Sequence, residues 1–174
     1  LTEVYFYGNA PRGTLSIFSA NSPNLVVYYF SSKSGFTSPT WAGAATTEID
    51  ENVYPAASWL LGYGRGYDVN PSLDDTGDGV PLLLAHALNM NPDEQLASKL
   101  PKAVVDSNSM NLTFYGQKPG ITYSVETSKN LTDWSEVGVS ISSPDVDGLR
   151  TAEINRVANC GFMRLVVEYE NAQP

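Results

Sequence analysis

The stretch SLDDTGDGVPLLLAHALNMNP, residues 72–92, sets acidic and small residues directly ahead of an almost unbroken apolar run. Pro81–Met90 reads as a helix. Pro81 suits a first helical position because it has no N–H to leave unpaired. Leu82, Leu83, Leu84, Ala85, Ala87, Leu88 and Met90 cover every face, so the helix is expected to be buried rather than amphipathic. Asn89 and Pro92 end it. His86, its one strongly polar side chain before Asn89, is read as a structural, hydrogen-bonded histidine.

The acidic residues ahead of the helix have the frame of a calcium loop. Calcium takes about six to eight oxygens, with carboxylates at fixed loop positions and a carbonyl at the seventh. With Asp74 first, Thr76 falls third, Asp78 fifth and the Val80 carbonyl seventh, while Gly79 stands sixth, where the chain turns sharply. The ninth and twelfth positions, Leu82 and Ala85, bring no oxygen. The residues describe a weakened calcium site, with Asp68, Asn70 and Asp75 close enough in sequence to compensate. The other reading is a loop that keeps its shape for folding, with Asp78 or Thr76 capping the helix and favoured there by its dipole.

Outward from this stretch the chain reads as strands. TEVYFYG (2–8), GTLSIFSA (13–20) and NLVVYYFSS (24–32) are rich in β-branched and aromatic residues and are bounded by Gly, Pro, Asn and Ser. A short strand fits Ala45–Ile49, and PAASWLLGYG fits a helical turn opened by Pro55 and closed by Gly62. Beyond Pro101, Ala103–Val105, Asn111–Tyr115, Ile121–Thr127, Trp134–Ser140, RTAEINRV (150–157) and GFMRLVVEYE (161–170) follow one another at strand spacing. Ile121, Tyr123 and Val125 alternate with Thr122, Ser124 and Glu126, which predicts one buried and one open face. Short strands separated by turns suggest a β-sandwich or small barrel.

The composition removes several functional classes. Ten Lys+Arg, scattered singly, face 19 Asp+Glu, so the basic footprint that nucleic acid requires is missing. No apolar run approaches the ~20 residues of a membrane span. The single cysteine, Cys160, has no partner for a disulfide and no zinc spacing around it, and is read as an inert buried thiol. The single histidine leaves a Ser–His–Asp arrangement only His86, on the most apolar helix, and GYGRG (62–66) lacks the Lys-Ser/Thr of a phosphate loop. The first residue, Leu1, is read as marking a processed chain or an excised fragment. Among the aromatic residues Tyr28, Tyr29, Trp41, Tyr63, Tyr67 and Trp134 are candidates for stacking on sugar rings. Tyr63 and Tyr67, in a Gly-rich loop, are the least explained by packing, and Trp134 is expected in the core.

The segments DDTGDGVPLLLAHALNMNP, LTFYGQKPGITYSVETSKNLTDWSEV and GFMRLVVE together resemble a C-terminal module of many secreted bacterial proteins. The loose pattern of that family is an Asp/Gly-rich loop, a Leu-Leu-Glu-Tyr-Ala-Leu-Gly helix, then Tyr-x-Val-Glu-x-Ser-x-(Asp/Asn)-Leu-x-x-Trp and Phe-(Leu/Met)-Arg-Leu. YSVETSKNLTDW and FMRL match it well, over roughly residues 70–167. The acidic element also resembles dockerin and thrombospondin type 3 calcium loops. This chain departs from the pattern where Thr76, Leu82 and Ala85 stand for Asp, Asn and Glu.

The resemblance implies secretion and a β-sandwich that commonly ends a larger surface or hydrolytic protein, and does not imply a catalytic activity. The expectation is therefore an all-β chain, a β-sandwich of immunoglobulin or fibronectin III type with one short buried helix after an acidic loop. Its expected parts are an N-terminal β region (1–66), the calcium-type loop with helix and linker (67–100), and the C-terminal sandwich (101–174). The functional expectation is a non-enzymatic, extracellular structural or surface-interaction module. Its partners would be other copies of itself or other cell-surface proteins, joined through exposed edges of strands such as TEVYFYG and NLVVYYF. The second expectation is a carbohydrate-binding accessory module of a secreted hydrolase.

Overall fold

A computed structural model describes residues 1–12, 18, 24–155 and 161–170. It divides into two compact units, Leu1–Val69 and Asn70–Pro174. Strands dominate both, and the helices are few and short. GTLSIFSA falls largely, and Cys160 wholly, outside the described residues.

The N-terminal unit holds β1 (Glu3–Phe6), β2 (Val26–Phe30), β3 (Thr40–Trp41) and β4 (Ala44–Ile49), followed by the helix α1 (Ala57–Gly62). The sheet order is β1-β2-β4-β3. β1 and β4 both run parallel to β2, and only β3 is antiparallel. Immunoglobulin and fibronectin III domains are antiparallel, so this unit departs from that pattern. The composition of β2 suits a strand flanked on both sides. A parallel strand is covered on both faces and reads as a continuous apolar run, and β2 is VVYYF without alternation. Val27 packs with Val4, Phe6, Trp41 and Ala44 in one cluster, while Phe30 packs with Ile49, Ala57, Tyr5, Tyr28 and Tyr67 in another. α1 forms where Pro55 and Gly62 bracket the chain, and it buries Ala57 and Leu60.

The C-terminal unit begins with the acidic loop and α2 (Leu82–Ala87), and continues through β5 (Val104–Val105), β6 (Ser109–Tyr115), β7 (Ile121–Ser128), β8 (Val139–Ile141), β9 (Leu149–Asn155) and β10 (Phe162–Tyr169). One sheet has the order β5-β6-β9-β8 and the other pairs β10 with β7, all antiparallel. One core cluster takes Leu112 and Phe114 from β6, Ala152 from β9, Val125 from β7 and Leu88 from the end of α2. The predicted alternation of β7 holds in part: Ile121 and Val125 are buried and Thr122 is exposed, while Tyr123, Ser124 and Glu126 are all half-buried.

α2 is shorter than the sequence predicts. Pro81 lies just outside it, extended at φ −64° and ψ 153°, and Leu82 is the first helical residue. At the other end Asn89 adopts the left-handed φ of 54°, which stops the helix before Met90. Leu82, Ala85, His86 and Ala87 are buried and Leu83 and Leu84 half-buried, so the helix is covered on most of its faces but not all round.

Candidate functional site

The acidic loop is built around two carboxylates. Asp74 Oδ1 accepts the N–H of Gly77 at 2.8 Å and of Asp78 at 3.2 Å, and its Oδ2 accepts the N–H of Gly79 at 2.7 Å. Three successive N–H groups converge on one side chain because Gly77 and Gly79 take positive φ values of 69° and 86°, which L side chains resist. Thr76 Oγ1 lies 3.4 Å from Asp74 Oδ1 and donates to it. Asp78 Oδ1 accepts the Val80 N–H at 3.0 Å. Its Oδ2 accepts two N–H groups from beyond the helix, that of Leu96 and that of Ala97, the second at 3.2 Å. The Leu96 N–H, first among these donors, holds the Asp78 carboxyl below the usual carboxylate range. Gln95 Nε2 adds a bond to the Thr76 carbonyl at 3.3 Å.

Neither Asp78 nor Thr76 caps α2, which has no side-chain cap. Its first free N–H groups donate instead to main-chain carbonyls of the loop, Leu82 to Leu73 and Leu83 to Pro71, both at 2.8 Å. The turn leading into the helix therefore does the capping, and Asp78 is left to reach the segment behind it.

As calcium ligands, Asp74, Thr76, Asp78 and the Val80 carbonyl give two carboxylates, one hydroxyl and one carbonyl. The ninth and twelfth positions are occupied by Leu82 and Ala85, 3% and 1% exposed. Calcium asks for about six to eight oxygens; here all four carboxylate oxygens already accept backbone N–H groups, and the ninth and twelfth positions add none. Among the described residues no group of three or more His, Cys, Asp and Glu is placed to hold a metal ion.

The one polar side chain of α2 is buried. His86 is 3% exposed. Burial first, and the nearby Lys118 second, push its imidazole down to about 4. Lys118 Nζ donates to Asn89 Oδ1 at 3.1 Å, past the end of the helix. Tyr123 Oη donates to the Ala87 carbonyl at 2.7 Å and accepts the Lys118 N–H at 3.2 Å. This phenol joins the C-terminal turn of α2 to β7.

The residues that carry the family resemblance meet in space. Arg164 of β10 stands opposite Glu126 of β7, and its Nε donates to Glu126 Oε2 at 2.7 Å. The guanidinium carbon lies 4.2 Å from the centre of the Trp134 ring. Trp134 Nε1 donates to the Leu131 carbonyl at 3.0 Å. The turn between is folded by its own side chains. Ser128 Oγ accepts the N–H groups of Asn130 and Leu131 at 3.2 and 2.9 Å, and Asn130 Oδ1 accepts those of Thr132 and Asp133 at 3.0 and 2.9 Å. Trp134 is not in the core, contrary to expectation. It is half-buried at the surface with Arg164 over it, because a cation packed on an aromatic face replaces the apolar cover a core would give.

The candidate stacking residues separate. Trp41 and Tyr29 are buried, Tyr29 against Phe36 with ring centres 4.6 Å apart and its hydroxyl donating to Glu48. Tyr63 lies edge-on to Trp59 at 5.4 Å. Tyr67 belongs to a different group, packed on Tyr28 at 5.6 Å and on Tyr54 at 5.2 Å. Tyr28 in turn stacks on Tyr5, 4.7 Å apart and 13° from coplanar. The result is a half-exposed row, Tyr5–Tyr28–Tyr67–Tyr54, with Glu3 accepting the Tyr5 hydroxyl at 3.1 Å. Burial, then the Glu3 bond, push the Tyr5 phenol up to about 12. Burial also raises Tyr28 and Tyr67, with the charge of Asp68 contributing to both. Tyr5 and Tyr54 are not among the sequence candidates. The signal for Tyr5 is its place directly beside Tyr28 in the parallel register of β1 and β2.

Among the described residues no helix is long and apolar enough to cross a membrane. Compared with family models, curated proteins and solved structures, the chain matches none, so its reading rests on the geometry just described.

Proposed function

We propose that the chain is a non-catalytic, extracellular structural and surface-interaction module, acting with other copies of itself or other cell-surface proteins. The observation that carries this reading is the way the patterned polar residues are used. Asp74 and Asp78 fold a loop, Tyr123 anchors a helix, and Glu126, Arg164 and Trp134 join two strands to a turn. Side chains held this way maintain a shape; a catalytic base or nucleophile would need a reachable partner and a free face. The C-terminal unit is read as a β-sandwich of the immunoglobulin or fibronectin III kind, its two antiparallel sheets sharing one core. Assembly would use strand borders. β2 is flanked on both sides and has no free edge, whereas β1 stands at the border of its sheet. Sedimentation velocity over a concentration series, with negative-stain images of the heaviest species, tests this. Ordered self-assemblies are expected, and a monomer at every concentration removes the self-assembly reading.

A second reading is favoured by the tyrosine row. Tyr5, Tyr28, Tyr67 and Tyr54 lie side by side with Glu3 and Asp68 nearby. Flat rings edged by acids are what a polysaccharide-binding face presents to a sugar.

A further inference from the structure

We propose that residues 74–80 form a metal-free clasp, in which the Asp78 carboxylate ties the chain ahead of α2 to the chain behind it. A calcium loop gathers its oxygens around a cation. Here the polarity is reversed, and backbone N–H groups gather around two anions. Asp74 collects Gly77, Asp78 and Gly79, so the turn closes on its first side chain. Asp78 then collects Val80 within the loop and Leu96 and Ala97 beyond the helix. The side chain spans 18 residues of sequence to reach Leu96, and Leu96 is itself buried at 3% exposure. Gln95 reinforces the same junction from the other side through the Thr76 carbonyl.

Two features set this apart from a loop built to receive calcium. The position where a bidentate carboxylate would grip the ion is Ala85, 1% exposed and packed inside the unit, and the ninth is Leu82, 3% exposed. The carboxylate oxygen of Asp78 that points away from its own loop is taken by two N–H groups of the following segment. Hydrogen bonds to an ionised acceptor are the stronger kind, so the closure stands without a cation.

The test compares the wild-type chain with Asp78→Asn, each melted in millimolar calcium and in excess chelator. The wild-type chain is expected to melt at the same temperature in both. Asp78→Asn is expected to melt lower by about 5 °C, with the same gap in chelator as in calcium. A wild-type melting temperature that rises with calcium overturns the proposal, because a ligand held only by the folded state must stabilise it. So does a gap that closes in chelator, since Asp78 would then have been acting through an ion. So does a variant indistinguishable from wild type under both conditions, since the tether would then hold nothing. Should Asp78→Asn fail to fold, calorimetric titration of the wild-type chain with calcium chloride decides: no binding heat is expected, and a saturable heat overturns the proposal.

Discussion

Arg164 lies over the ring of Trp134, 4.2 Å from its centre, while its Nε holds Glu126 at 2.7 Å. The three residues come from β10, from the turn after β7 and from β7, so one guanidinium ties FMRL to both ends of YSVETSKNLTDW. Side-chain exposures of 48% for Arg164 and 22% for Glu126 leave the ion pair open to solvent screening. The stack on Trp134 is then expected to be the larger part. A double-mutant cycle of Trp134→Ala and Arg164→Met, followed by chemical denaturation, should give a coupling of roughly 0.5–2 kcal/mol. Glu126→Gln should lower stability by roughly 0.2–1 kcal/mol, less at high salt. A Trp134–Arg164 coupling within about 0.3 kcal/mol of zero would remove the stack from the account of the fold.

Tyr123 makes a sharper prediction because its hydroxyl serves two backbone groups, the Ala87 carbonyl and the Lys118 N–H. Tyr123→Phe keeps the ring that packs against Phe114 at 5.9 Å and removes only the oxygen. The expected loss is about 1–3 kcal/mol, the usual effect of stranding partly buried polar groups. Equilibrium unfolding should show a lower midpoint with an unchanged denaturant slope. No loss would mean that water replaces the phenol there.

His86 makes stability depend on pH. Its folded value lies near 4, against 6.5 for the free side chain. Between those values the unfolded chain binds a proton that the folded chain refuses, so acid favours unfolding. The contribution of His86 is complete above about pH 6.5 and is lost progressively as pH falls towards 4, where it levels off. The loss amounts to a few kcal/mol, since each pH unit between the two values is worth roughly 1.4 kcal/mol. His86→Leu should flatten that part of the stability–pH curve. An unchanged slope in the variant would assign the acid sensitivity to other groups.

The tyrosine row separates the two functional readings. On a glycan array, polysaccharide binding through this face requires signal from the wild-type chain and its loss in Tyr28→Ala and Tyr67→Ala. Tyr63→Ala, whose ring lies against Trp59 instead, should bind as wild type does. Binding that survives Tyr28→Ala, or that disappears equally with Tyr63→Ala, would place the sugar site elsewhere.

Much of the fold is legible in the sequence, because local signals and tertiary demands coincide. The apolar run 82–88 holds the helix α2, largely buried, and its stop at Asn89 is a left-handed residue of the kind Asn tolerates. The turn after β7 is written in Ser128 and Asn130, whose short side chains bond their own backbone. Strand direction is the part that residue type does not announce. VVYYF marks a strand covered on both faces, but only the distant pairing with β1 and β4 makes it parallel. The site is harder to foresee. Spacing alone makes Asp78 a loop ligand or a helix cap, and its partners at Leu96 and Ala97 become visible only once α2 folds back. Trp134 reads as core from its place in the pattern; the structure leaves it half-buried, covered by Arg164 from thirty positions on in sequence.

The placement of β2 also bears on how the chain can fail. Asn24–Phe30, NLVVYYF, is uncharged, β-prone and free of proline, the composition from which amyloid-type zippers are made. In the folded unit it is sheltered on one side by β4 and on the other by β1, a strand of four residues. Loss of the β1 pairing would uncover one edge of this segment, so a border of four residues is what shields it on that side.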